Sequence, residues 1–195
     1  PYGMTNLGPA YTTYDPTIGL LSAFLPGRKE NAAIFSHASA FHVVARALLG
    51  RGKAAVELYR HILPSGRDPD LYAVEPYIYS QYSAGPGAGK LCGEGAFHWL
   101  TGTAAWMFRA MTDYILGVRP EIDGLRISPA VDPSWKEFSL TRRFRGSDYH
   151  IHFLNPEGLE TGVKEITLDG KPIRGTKLPL PTAPRHEVTV LMGHG

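Results

Sequence analysis

Cysteine is almost absent: Cys92 is the single one in 195 residues, so no internal disulfide and no thiolate metal cluster can form. That suits a reducing compartment. No apolar run reaches the roughly 20 residues of a membrane-spanning helix, and the opening PYGMTNLGP lacks the charged-then-apolar layout of a signal peptide. A cytoplasmic protein with no membrane partner is the expectation. A strong charge of either sign is missing too. The net charge is +2 with 19% charged residues, which excludes a polyanion-binding profile, so nucleic acid is not expected as a partner. There is no Gly-rich nucleotide loop, metal-ligand spacing or serine elbow. His150 and His152 share one strand face, a weak signal, and no metal is assigned. The chain opens on Pro1 and not on methionine, as expected of a piece of a longer protein.

What is present reads as two textures, helical and then β. Residues 1–30 carry turn signals at Asp15-Pro16 and Pro26-Gly27 and read as loop. From Asn31 to Leu49, Ile34, Ala38, Phe41, Val44 or Ala45, and Leu48 mark one helical face, closed by Gly50. A shorter helix follows over 53–63. Residues 64–97 are irregular, with an aromatic YAVEPYIYSQY that reads as buried and a loop, GPGAGKLCGEG. Thr103, Trp106, Ala110 and Tyr114 then recur at helical spacing, and Gly117 is the expected stop. Beyond it come short alternating segments at 125–128, 138–145, 149–155, 165–168 and 187–192, with hairpin signals at 145–148 and Asp169-Gly170. These predict an antiparallel β domain, a small sandwich. The expected fold is therefore α+β and multidomain, with a helical part over 1–117 and a β part over 118–195.

Three stretches could carry chemistry. In HWLTGTAAW, Thr101 can cap a helix and Gly102 lets backbone approach a ligand. The first N–H groups of a helix lack internal partners, so this end suits an anion; the alternative is a core helix with a simple N-cap. In GRKENAAIFSH, Lys29 and Glu30 suit sugar hydroxyls as donor and acceptor, or else form a solvated pair flanking a helix start. His37 lies seven residues after Glu30, two helical turns if the helix begins near Glu30. It is either a core histidine on the Phe41 face or a phosphate donor. In VEPYIYSQY, Glu75 and Gln81 lie among tyrosines that either stack on pyranose rings or simply pack. A carboxylate there needs partners or a raised pKa. Glu94, in the Gly-rich loop, is a further carboxylate. TRRFRG reads as surface or interdomain pairing.

Taken together, GRKENAAIFSH (27–37), VEPYIYSQ (74–81), HWLTGTAAW (98–106), YILGVRPEIDGL (114–125) and TRRFRG (141–146) resemble the carboxy-terminal part of glycoside hydrolase family 94, the cellobiose and chitobiose phosphorylases. The resemblance implies the carboxy-terminal part of an (α/α)6 barrel over 1–117, followed by a β-sandwich domain over 118–195. It implies phosphate-binding roles for His37, Thr101 and Gly102. It places Lys29 and Glu30 in the loop that binds the reducing-end sugar, with Gln81 nearby and Glu75 in a supporting substrate-binding role. The implied chemistry is inverting phosphorolysis of a β-linked gluco- or N-acetylglucosamine disaccharide, giving an α-sugar 1-phosphate and a free sugar. No cofactor is expected, since inorganic phosphate is the co-substrate. The family's general-acid aspartate belongs to an upstream segment, and Asp15 does not match its motif, so no catalytic residue is assigned here. Expected partners are a disaccharide or oligosaccharide, inorganic phosphate, the missing amino-terminal part of the enzyme, and a second copy in a homodimer. Two alternatives compete: an inverting (α/α)6 glycoside hydrolase with Glu75 or Glu94 as base, and a non-catalytic carbohydrate-binding module using the β domain.

Overall fold

The computed structural model describes residues 2–194 and divides into two compact units, Pro1–Val43 with Glu57–Phe108, and Val44–Val56 with Arg109–Gly195. Helices and largely antiparallel sheets are mixed in it.

In the first unit, residues 2–33 are mostly loop, with one helical turn α1 (Leu20–Ala23). Strand β1 (Ile34–Phe35) leads directly into helix α2 (Ser36–Leu48), whose residues from Val44 on are counted with the second unit. The helix thus begins at Ser36 and not at Asn31, for a local reason. Lys29 and Ala32 are left-handed, with φ 48° and 68°. The fully buried Asn31 between them spends its amide on other segments. Its Nδ2 donates to the carbonyls of Tyr11 (2.9 Å) and Phe24 (2.7 Å), and its Oδ1 accepts from the Tyr11 N–H (2.8 Å). Asparagine competes with helical hydrogen bonding in this way. Glu30 and His37 are therefore not two turns apart on one helix.

The buried face of α2 is not its stripe of large apolar residues. Ser36, Ser39, Ala40, Val43 and Ala47 are buried, whereas Ala38, Phe41, Ala45 and Leu48 are exposed, Phe41 at 47% and Leu48 at 63%. Small side chains face inward and the large apolar stripe is left uncovered. Helix α2 closes in a Schellman-type turn, with Gly50 at φ 72° and N–H groups of Gly50 and Arg51 on the carbonyls of Ala47 and Arg46.

Helix α3 (Gly52–Ile62), a short α4 (Pro69–Tyr72), β2 (Tyr82–Ser83) and β3 (Gly95–Ala96) follow. Strands β1, β2 and β3 form one antiparallel sheet in that order, pairing Phe35 with Tyr82 and Tyr82 with Ala96. Two-residue strands have no periodicity to read, so this sheet is invisible in the sequence. Helix α5 (Thr103–Arg109) continues as a π-helical turn over Ala110–Ile115, where the Leu116 N–H reaches back to the Met111 carbonyl.

In the second unit the expected stop holds. Gly117 has φ 70°, and a Cβ there would lie 2.2 Å from the Ser128 carbonyl, so only glycine fits. Strands β4 (Val118–Glu121), β5 (Gly124–Ile127), β6 (Glu137–Phe144), β7 (Ser147–Leu154), β8 (Glu165–Leu168), β9 (Lys171–Ile173), β10 (Lys177–Leu178) and β11 (Arg185–Leu191) form two sheets, ordered β10-β5-β4 and β6-β7-β11-β8-β9. Both expected hairpin turns are present, each with two left-handed residues: Arg145-Gly146 and Asp169-Gly170. Strands β7 and β11 pair in parallel; the other strand pairings among the described residues are antiparallel. Alternation reports which face is buried and carries no strand direction. On the inner face Leu125, Ile127, Tyr149, Ile151, Phe153 and Val190 build the core.

One element of TRRFRG is structural. Arg142 Nη2 lies 3.1 Å from the carboxylate of Asp113, which is 1% exposed and also accepts from Arg109 Nε (3.1 Å) and the Thr112 hydroxyl (3.0 Å). A buried charge persists only when paired and hydrogen-bonded in this way.

Candidate functional site

The small sheet of the first unit brings three distant stretches together. The Gln81 carbonyl accepts from the Ser36 N–H at the start of α2 (3.1 Å), and the Gln81 N–H donates to the Phe97 carbonyl (2.8 Å). Residues 27–37, 74–83 and 95–106 therefore meet around β2.

His37 occupies the second position of α2. Its ring lies 4.8 Å from the Phe41 ring and 6.2 Å from that of Trp106. Its Nε2 is buried and has no hydrogen-bond partner. Gly102 is beside it, since a methyl group added at Gly102 would meet His37 Cε1 at 3.6 Å. An orphaned ring nitrogen next to a glycine backbone is the arrangement an anion or a water would complete, because an unsatisfied buried polar atom is costly. Thr101 precedes α5. Its hydroxyl accepts from the Thr103 N–H (3.2 Å) and shares a 2.6 Å contact with the Thr103 hydroxyl. It satisfies the first N–H of the helix from one residue before the cap position, and retains capacity for a further partner.

Lys29 and Gln81 are also joined. Lys29 Nζ sits 3.5 Å from the centroid of the Phe97 ring and 3.5 Å from Gln81 Oε1. A cation over an aromatic face keeps its donors available for hydroxyl groups. Glu30 is exposed on the same turn.

Glu75 accepts from two consecutive side chains, His98 Nδ1 (2.6 Å) on one oxygen and Trp99 Nε1 (3.2 Å) on the other. These hydrogen bonds, that from His98 foremost, hold its carboxyl below the usual carboxylate range. A cavity of about 360 Å³ adjoins it, lined by Tyr77, Ile78, Tyr79, Trp99, Thr101 and Ala104. Burial pushes the Tyr79 hydroxyl up, so it remains a protonated donor. Glu94 is ion-paired with Arg28.

Phe97, His98 and Trp99 went unassigned in the sequence. Phe97 and Trp99 are left-handed, with φ 54° and 62°. Bulky residues in that region mark strain, which gathers at functional turns. Glycine would have advertised such a turn; aromatic residues do not. The available signal was the place of His98 and Trp99 inside the HWLTG motif, with Phe97 directly before it. Among the described residues no cluster of His, Cys, Asp or Glu could hold a metal, and no helix is long and apolar enough to cross a membrane. His150 and His152 instead contact Thr141 and Glu137.

A family model for the catalytic domain of the glycosyl hydrolase 94 superfamily matches residues 1–117. The chain is 42% identical over 92% of its length to solabiose phosphorylase of Paenibacillus borealis. It is 37% identical over 99% of its length to N,N'-diacetylchitobiose phosphorylase of Vibrio proteolyticus. To 3-O-beta-D-glucopyranosyl-beta-D-glucuronide phosphorylase of Paenibacillus borealis it is 32% identical over 97%. These matches cover 24%, 24% and 25% of the three relatives, so the chain spans about a quarter of their length.

Proposed function

The chain belongs to the glycosyl hydrolase 94 superfamily, and from that premise we propose that it forms the carboxy-terminal portion of an inverting disaccharide phosphorylase. Residues 1–117 contribute to an (α/α)6 barrel and 118–195 form a β-sandwich domain. The substrate is a β-linked disaccharide of glucose or N-acetylglucosamine type. The enzyme works in the cytoplasm, with no cofactor beyond phosphate as co-substrate.

The single observation that carries this reading is the unpartnered, buried Nε2 of His37 beside Gly102. A phosphate there accepts from His37, from the Thr101 hydroxyl and from N–H groups at the start of α5, each a charge-assisted hydrogen bond. Held so, a phosphate oxygen attacks the anomeric carbon from the face opposite the leaving oxygen. The C–O bond to phosphate forms as the glycosidic bond breaks, and a general acid from the rest of the enzyme gives its proton to the leaving sugar. Inversion of the β-linkage yields the α-sugar 1-phosphate. An inverting hydrolase needs a carboxylate to activate water; phosphate is already an anionic nucleophile, and the site's work is to hold it in line. Lys29, Glu30 and Gln81 hold the sugar hydroxyls. The carboxylates a hydrolase would use are engaged elsewhere, Glu94 by Arg28 and Glu75 by His98 and Trp99.

The test is product analysis of the full-length enzyme with a β-linked disaccharide. Sugar 1-phosphate forming only when phosphate is supplied is the expected result. Free monosaccharides released at an equal rate without phosphate would establish hydrolysis instead.

A further inference from the structure

We propose that Glu75 and His98 are positioning residues that hold the anion-binding turn in shape, an inference that rests on the phosphate reading of His37, Thr101 and Gly102. The turn runs from Phe97 to Thr101 and is anchored at both ends. At its entry the Phe97 carbonyl is fixed by the Gln81 N–H (2.8 Å). At its exit Thr101 is fixed by Thr103. Between them lie the left-handed Phe97 and Trp99, a conformation side-chain-bearing residues adopt only when surrounding contacts outweigh its cost.

Glu75 supplies those contacts. One carboxylate oxygen takes the His98 ring N–H and the other takes the indole N–H of Trp99, so a single side chain grips two successive residues of the turn. The ionised state this needs is the one its two donors favour. Glu75 therefore acts through the turn, since each of its oxygens holds a donor from it. Without it, Trp99 relaxes toward ordinary backbone, and Thr101 and Gly102 move away from His37. Phe97, at the entry, keeps its bond from the Gln81 N–H, so the Lys29 contacts with Gln81 and the Phe97 ring and the sugar side are spared.

Steady-state kinetics of the full-length protein, with phosphate and disaccharide varied independently, tests this. Glu75→Ala is expected to raise the KM for phosphate about tenfold or more and to leave the KM for disaccharide within about twofold. Glu75→Gln, which keeps an acceptor oxygen for a ring N–H, restores most of the phosphate affinity. Trp99 emission, isolated by comparison with Trp99→Phe, shifts in Glu75→Ala as the indole loses its acceptor. A rise in the KM for disaccharide alone, or an equal rise in both, would make Glu75 a sugar ligand or a general scaffold and overturn the proposal. If Glu75→Ala does not fold, His98→Ala carries the same expectation, and an unchanged phosphate KM there overturns it equally. Thr101→Ala separates the two levels of inference. If it leaves phosphate dependence unchanged, the phosphate site itself is misassigned. If it weakens phosphate use while Glu75→Ala and His98→Ala do not, the positioning role alone fails.

Discussion

His37 and Gly102 are neighbours: a methyl group on Gly102 would touch His37 Cε1 at 3.6 Å, an ordinary van der Waals distance. Histidine from the start of one helix and glycine from the start of another thus stand within reach of each other, and the His37 Nε2 is buried without a partner.

Gly102→Ala follows from that spacing. Gly102 is not in the left-handed region, and the added methyl meets no backbone, so the variant is expected to fold with an unchanged melting temperature. The methyl occupies the space assigned to phosphate. Weakening one charged hydrogen bond costs roughly 1.5 to 3 kcal/mol, which predicts about a tenfold to hundredfold higher KM for phosphate. Glu30→Gln is the reciprocal case, raising the acceptor-sugar requirement in the synthetic direction and leaving phosphate dependence nearly intact. Paired kinetics of the two variants check both; an unchanged phosphate KM in Gly102→Ala removes the phosphate from this space.

Arg142→Met tests the buried pair in the second unit. It leaves the Asp113 carboxylate, 1% exposed, with Arg109 and Thr112 but without the Arg142 guanidinium. Breaking a buried pair from one side costs about 3 kcal/mol. Denaturant melts should show that loss, and Asp113→Leu combined with Arg142→Met should recover most of it. A double variant as unstable as the single one would mean that Arg142 acts by packing and not by charge.

Acid stability depends on a set of partly or fully exposed carboxylates. Glu121 is held below its ordinary value of 4.5 first by the hydrogen bond from Arg126, and Asp123 below 3.8 first by that from Lys177. Asp169 is lowered first by the Glu187 N–H and then by His186. Between the ordinary and the lowered values the unfolded chain binds more protons than the folded one, so stability rises with pH in that window. The contribution is complete above the ordinary values and disappears as pH falls through the lowered ones. Glu121→Gln with Asp123→Asn should therefore destabilise the protein near neutral pH and make no difference in strong acid. Denaturant melts across that range measure it, and a destabilisation that persists in strong acid would point to lost packing instead.

Legibility from sequence followed the range of the interaction. The second unit was readable because its strands alternate over several residues and its turns carry Gly146 and Gly170. Period and turn chemistry are local. The parallel pairing of β7 with β11 was not readable, because register and direction come from contacts across the sheet. For α2, the spacing of apolar residues located a helix and left open which of its faces is buried. A stripe of Phe41 and Leu48 says only that apolar surface exists, not whether this chain covers it.

The site divides in the same way. By itself the sequence determined the chemistry available: a histidine, a Thr-Gly helix end, a Lys-Glu turn, a glutamate and a glutamine among tyrosines, and a single cysteine. Tertiary structure decided which of these meet. The β1-β2-β3 sheet draws 27–37, 74–83 and 95–106 together, and it also closes Glu75 onto His98 and Trp99. Strands of two residues carry no periodic signal, and left-handed Phe97 and Trp99 are forced by their partners and not by their own preference. Those contacts join residues far apart in the chain, so they become fixed only when the chain is folded.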